Sequence, residues 1–317
     1  MVAEFDLINK YFAPLAAEGA ADLQDDAATF SLPEGRDCVV TKDMLVAGVH
    51  FFQDDNPADI AFKAVAVNVS DLVAKGAHPV GYCLGLGLSG DEDDSWLAAF
   101  AGGLKAAADA FQIELYGGDT VKCPGQLTLS VTAFGDLAAN MIVRRSGAKV
   151  GDLIYVTGCI GSAALGLLAR QGKIAPHRSF EQSYARPQPK LEVISLIRDF
   201  AGASADVSDG LVADAAHIAQ ASGVGAYIHG NLVPVTAAAR AAVRDKPDLL
   251  ETVLTGGDDY EVVFTVAPHS AVEMEACAAS LDLSVSHIGE ITSDQRIFVA
   301  DQDGNEISLA NTGFCHF

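Results

Sequence analysis

The sequence predicts a mixed α/β (α+β) protein. Apolar, strand-like runs repeatedly end at glycine or aspartate and give way to a helical pattern, with no repeat of solenoid length and no low-complexity tract between them. Half of the 317 residues are apolar, enough for a large core and of a length that suits two domains. The turn-rich stretch Gly147-Ala148-Lys149-Val150-Gly151-Asp152 sets the boundary near residue 150, giving domains 1–150 and 151–317.

The elements follow in order. Asp37 to Thr41 reads as a buried strand ending at Lys42 and Asp43, and Ala58 to Lys75 as an apolar helix closing at Gly76. Pro79 to Leu88 is a strand. Asp91 to Asp94 opens the next helix, where carboxylates suit the positive end of the dipole, and Leu97, Phe100, Leu104, Ala107 and Phe111 form its buried stripe. Gln112 to Tyr116 runs into Gly117-Gly118-Asp119-Thr120, and Leu127 to Gly135 alternates as a strand does. Beyond the joint, the strand LIYVTG feeds a glycine turn and the helix SAALGLLAR. Ala205 to Ser208, a helix from Asp209 to Ala221 with Gly223 as its cap, Gly225 to Ile228, and Tyr260 to Val266 complete the alternation.

Twenty basic against forty-two acidic side chains give a net charge of −22, the wrong sign for holding a nucleic-acid backbone. No uncharged apolar stretch reaches the length of a membrane span, and the first twenty residues lack a signal-peptide pattern, so a cytoplasmic protein is expected. The six cysteines stand singly without a Cys-x-x-Cys pair, which speaks against zinc and a disulfide framework and reads as reduced thiols, mostly core fillers.

The P-loop pattern and the protein-kinase landmarks are absent. Gly85-Leu-Gly87-Leu-Ser-Gly90 fits a dinucleotide fingerprint, but four carboxylates open the helix after it and would repel a pyrophosphate. What stands out is the placing of aspartates: Asp25-Asp26, Asp43, Asp71, Asp119, Asp206 with Asp209, and Asp258-Asp259 all border apolar or glycine-rich sequence. One alone reads as a cap, Asp209 being an N-cap candidate. Together, hard oxygen ligands without cysteine or histidine select magnesium or calcium, and many carboxylates with several ions suit phosphoryl transfer. Few basic residues lie near these motifs, so cations other than arginine have to neutralise a nucleotide.

Taken in order, the blocks DLQDDAATF (22–30), TKDMLVAGVHF (41–51), AVAVNVSDLVAKGAHP (64–79), YGGDTVK (116–122), RRSGAKVGDLIYVTG (144–158), ADVSDGLVADAAHIAQASGVGA (205–226), LTGGDDYEVVFTV (254–266) and GFCHF (313–317) resemble the thiamine-monophosphate kinase family. Its superfamily also contains aminoimidazole ribonucleotide synthetase, selenophosphate synthetase and HypE. LVAGVHF, GGDDYE and the terminal Gly-aromatic-x-His-Phe separate the kinase from these relatives.

The resemblance implies a two-domain PurM-like fold, with an N-terminal nucleotide- and magnesium-binding domain that pairs through β-strands in a homodimer and a C-terminal α/β domain that closes the cleft. It implies phosphoryl transfer from ATP to thiamine monophosphate by direct in-line attack, with several magnesium ions. Asp26, Thr41, Lys42, Asp43, Asp71, Asp119, Asp206 and Asp209 match metal positions, with Asp71, Asp119 and Asp209 central to catalysis. Gly118, Asp119, Arg145 and Ser208 match ATP contacts, and His50, Asp258 and Phe314 match positions that hold thiamine phosphate. Three positions depart from the family: Gln24 replaces a glycine, Lys42 a threonine and Asp258 a glutamate. Another ATP-dependent synthetase of the superfamily, or an inactive nucleotide-binding homologue, are the alternative readings.

Overall fold

In the computed structural model, residues 4–311, 313 and 314 are described. Cys315, His316 and Phe317 of the GFCHF block lie outside them. The chain forms two compact units, one of residues up to Leu72 with Ala77–Asn140, the other of Val73–Gly76 with the residues from Met141 onward.

After the short helix α1 (Glu4–Leu7), the first unit contains β1 (Arg36–Val46), α2 (Pro57–Ala74), β2 (His78–Leu88), α3 (Asp94–Phe111), β3 (Glu114–Lys122) and β4 (Thr128–Ala138). The sheet order is β1-β4-β2-β3. β2 and β3 run parallel and are joined through α3, as a parallel pair requires, whereas the pairings with β4 are antiparallel. Ala61, Ala64, Val65 and Leu72 of α2 are fully buried, so this helix is apolar nearly all round. α3 starts where the Asp93 carboxylate accepts from the Trp96 N–H, and its five expected stripe residues are all buried.

Two expectations change here. β1 does not stop at Lys42 and Asp43, because Lys42 pairs with Thr132 and Asp43 with Val131 and the ladder of β4 carries the strand on to Val46. Gly117, Gly118 and Asp119 likewise lie within β3. Tertiary pairing overrides the weak strand preference of lysine, aspartate and glycine. Gly85 and Gly87 sit in mid-strand opposite Ser130 and Thr128, so the Gly-x-Gly-x-x-Gly match is no nucleotide turn.

The second unit contains β5 (Leu153–Thr157), α4 (Ser162–Arg170), α5 (Arg178–Ala185), α6 (Val193–Phe200), β6 (Ala201–Asp206), α7 (Leu211–Ser222), β7 (Gly225–His229), α8 (Ala237–Asp245), α9 (Leu249–Thr255), β8 (Val262–Val266), α10 (Ala271–Ser280), β9 (Val285–Thr292) and β10 (Ile297–Ala300). Its six strands are ordered β10-β7-β9-β5-β8-β6. The core joins Val156, Ala205, Val207 and Val263 of the sheet and its strand ends to Leu211, Val212 and Ile218 of α7. β8, between β5 and the edge strand β6, is buried at all five positions, as a strand covered on both faces must be.

The described cysteines correct a further expectation. None is a buried core filler: Cys38 and Cys159 are exposed, Cys83, Cys123 and Cys277 are half-buried, and all five are free.

Candidate active site

In the first unit, the alternation of β1 sorts its side chains. Thr41 and Asp43 share the half-buried face with buried Val39 and Leu45, whereas Val40, Lys42 and Met44 are exposed on the other. The Thr41 hydroxyl donates to the Asp71 carboxylate. Asp71 lies in the last turn of α2, which has no basic residue to offset the negative end of the helix dipole. Burial and then repulsion from Asp71 push the Asp43 carboxyl up to about 6. Two carboxylates and a hydroxyl thus share a strongly electronegative spot, and this donor set of hard oxygens fits a divalent cation such as magnesium.

Lys42 turns away from this group. Its ammonium donates to Ser130 and Thr132 on the opposite face, which leaves only its main-chain carbonyl to offer a cation. Gln24, at φ −102°, needs none of a glycine's freedom; the left-handed residues are Ala21, Asp22 and Leu23 just before it.

A cavity of about 350 Å³ in the same unit brings Asp25, Asp26, Gly118 and Asp119 together. Phe30 forms an aromatic wall with Tyr116 and Phe134, at ring-centroid distances of 5.2 and 5.6 Å. Gly118 admits no side chain, since a Cβ there would lie 2.0 Å from the Leu84 carbonyl oxygen. Flat apolar walls ending in acids and bare backbone can take a purine ring at one end and cation-bound phosphates at the other.

In the second unit, the loop from β6 to α7 is a hub. Asp206 is buried at the end of β6, and Ser208 and Asp209 follow it half-buried. The Asp258 N–H donates to the Ser208 carbonyl at 2.9 Å and the Phe314 N–H to the Asp209 carbonyl at 3.0 Å. Backbone bonds alone therefore unite Ser208, Asp209, Asp258 and Phe314. Gly257 permits the approach, because a Cβ there would meet the Ser208 carbonyl oxygen at 2.0 Å. Asp258 itself has φ +71°, and its carboxylate accepts from the Tyr260 hydroxyl at 3.0 Å.

Asp209 is not the cap of α7; that place belongs to Gly210. The residue that secures the loop is Asp214, fully buried, whose Oδ2 accepts from the Ser208 and Asp209 N–H groups at 3.1 and 3.0 Å. His217 lies 3.3 Å from its other oxygen, and that hydrogen bond raises the histidine's pKa. Asp209, Asp214 and His217 are the one group of three or more acid, histidine or cysteine side chains close enough together for a single ion among the described residues, but the backbone bonds make Asp214 a clamp. Arg145 is exposed, and its carbonyl accepts from Ser222.

Asp259 stood out in the sequence only as half of the Asp258-Asp259 doublet, and Glu261 did not stand out by itself. They border a cavity of about 580 Å³ that also contains Arg186 and Lys190. Both acids are engaged in fixing loops. Asp259, pushed up to about 8 by burial, accepts from the N–H groups of Gly161 and Ala163, and Glu261 accepts from the Thr157 hydroxyl. The signal for Asp214 was a second acid five residues after Asp209, and for Asp259 an acid doublet of which only one member belongs to the hub.

This architecture defines a two-domain protein of the AIR synthase related class. The N-terminal domain model of that class matches residues 24–137 and the C-terminal domain model residues 149–302. Within it, the chain belongs to the thiamine-monophosphate kinase family. It is 38% identical to the thiamine-monophosphate kinase of Caulobacter vibrioides, over 99% of this chain and 90% of that protein. The crystal structure of the Stenotrophomonas maltophilia thiamine-monophosphate kinase superposes with a TM-score of 0.82 at 39% identity, covering 90% of this chain and 91% of that one. A structure described as AaThiL complexed with AMPPCP and TMP gives 0.79 at 29% identity, covering 99% and 97%.

Proposed function

We propose that the chain transfers the γ-phosphoryl group of ATP to thiamine monophosphate, releasing ADP and thiamine diphosphate. The observation that carries this reading is the Thr41, Asp43 and Asp71 group, whose crowded carboxylates call for cations, in a chain of this family. The relative complexed with AMPPCP and TMP supports the choice of both ligands.

Asp26, Thr41, Asp43, Asp71 and Asp119 hold magnesium in the first unit, and Asp206 and Asp209 hold it in the second. Magnesium held by these residues would supply positive charge to offset that of the phosphates. Gly118 and Asp119 with Ser208 and Arg145 orient the nucleotide. His50, Asp258 and Phe314 hold the acceptor, the Phe314 ring lying against its flat cation and Asp258 offsetting the charge. The acceptor phosphate is an anion at neutral pH, so the chain needs no general base and forms no phospho-enzyme. What its residues supply is in-line positioning and electrostatics.

The test is incubation with ATP and thiamine monophosphate, reading thiamine diphosphate by chromatography. Product is expected with magnesium and none with a chelator. Folded protein that binds an ATP analogue but yields no product from this acceptor, while turning over another in a panel, would transfer the assignment to a synthetase. The acidic surplus and the use of ATP support a cytoplasmic setting.

We further propose that the first unit pairs with a second copy of this chain. Val40 and Met44 of β1 are 59% and 54% exposed and Val121 of β3 is 51% exposed, an apolar surface on both edge strands. Val40→Asp is expected to halve the mass seen by sedimentation equilibrium, and an unchanged dimer would count against this face.

A further inference from the structure

Lys63 is 2% exposed, a burial lysine reaches only when its ammonium has partners. It stands as the one charged residue in the apolar run from Ile60 to Val67 of α2, where a methionine could fill similar space without the cost of desolvating a cation. Its Nζ donates to the carbonyl oxygen of His50 at 3.2 Å.

The ring of the same histidine is held separately, for the Val46 N–H donates to Nδ1 at 3.0 Å. Between these anchors the chain makes a tight turn after β1. The His50 N–H donates to the Val46 carbonyl at 3.0 Å and the Gly48 N–H to the Phe51 carbonyl at 2.7 Å, with Gly48 at φ +81°. Phe51 is buried and fixes the far end. A neutral imidazole that accepts at Nδ1 carries its proton on Nε2, so the turn sets the tautomer as well as the place of the ring.

Resting on the reaction assigned above, we propose that Lys63 is a positioning residue for the acceptor. Its ammonium fixes the His50 main chain, Val46 fixes the ring, and the Nε2–H is thereby presented as a donor to a phosphate-monoester oxygen. The family-specific LVAGVHF block supplies the turn, and a lysine thirteen residues after His50 locks it.

The experiment is a double-mutant cycle with Lys63→Met and His50→Ala in the full chain, measuring KM for thiamine monophosphate, KM for ATP and kcat. Lys63→Met is expected to raise KM for thiamine monophosphate about tenfold, leave KM for ATP unchanged, and add nothing in the His50→Ala background. An equal effect in both backgrounds, or equal rises in both KM values, would overturn the role and leave Lys63 a packing residue. Should Lys63→Met fail to fold, Lys63→Gln enters the same cycle with the same expected non-additivity. Wild-type turnover of thiamine monophosphate is the control: its absence overturns the reaction assignment itself, whereas its presence with an additive cycle overturns only the part given to Lys63.

Discussion

Asp71→Asn is expected to lower kcat by at least about a thousandfold while leaving the fold intact and the melting temperature no lower than that of the wild type. The carboxylate stands at the negative end of α2, accepts from the Thr41 hydroxyl and faces Asp43 closely enough to raise its pKa. An asparagine of the same size still accepts from Thr41, so packing survives. What it removes is one of the two negative charges proposed above to hold cations at this spot. Circular dichroism and steady-state kinetics on the same preparation check both halves, and near-normal activity in the variant would remove the shared-cation model.

Asp43→Asn gives the second large effect, with opposite signs for activity and stability. In the metal-free protein Asp43 titrates near 6 against a usual 3.8, because burial and Asp71 disfavour its charge. The raised pKa means that its favourable contribution to stability is full below pH 3.8 and is lost as pH rises through about 6. At neutral pH the ionised group then costs about 2 kcal/mol, allowing for solvent screening. Asp43→Asn should therefore melt higher than wild type in chelator at pH 7 and lose that advantage near pH 4, while its turnover is abolished. For the wild type, magnesium affinity should weaken as pH falls through about 6, since the proton competes with the cation. Melting curves in chelator across this range decide the matter: no rise in the variant at pH 7 would mean that the pair is already relieved within the protein.

Such a pair lowers the stability of the metal-free protein, and it could be suspected from sequence only in part. The acid-at-junction pattern singled out both aspartates, but it ended the strand at Lys42 and Asp43 when both lie inside the ladder with β4. Single-chain propensity has no access to a partner strand ninety residues away. Asp209 shows the same limit. Its sequence invites a helix cap, yet Gly210 takes that place and Asp214 secures the loop, because two backbone donors converge on one buried carboxylate.

The periodicity of Leu97, Phe100, Leu104, Ala107 and Phe111 was enough to define the buried face of α3, and SAALGLLAR coincides with α4. These patterns are local: a helix repeats every 3.6 residues whatever it packs against. Order and spacing of the short blocks likewise carried the family, since each block keeps its loop's backbone chemistry. The electronegative group of Asp43 and Asp71, the hub uniting Ser208, Asp209, Asp258 and Phe314, and the lysine anchored to the His50 turn were decided by tertiary structure alone. Each depends on donors and acceptors far apart in the chain, and only folding brings a buried charge to the partner that makes its burial tolerable.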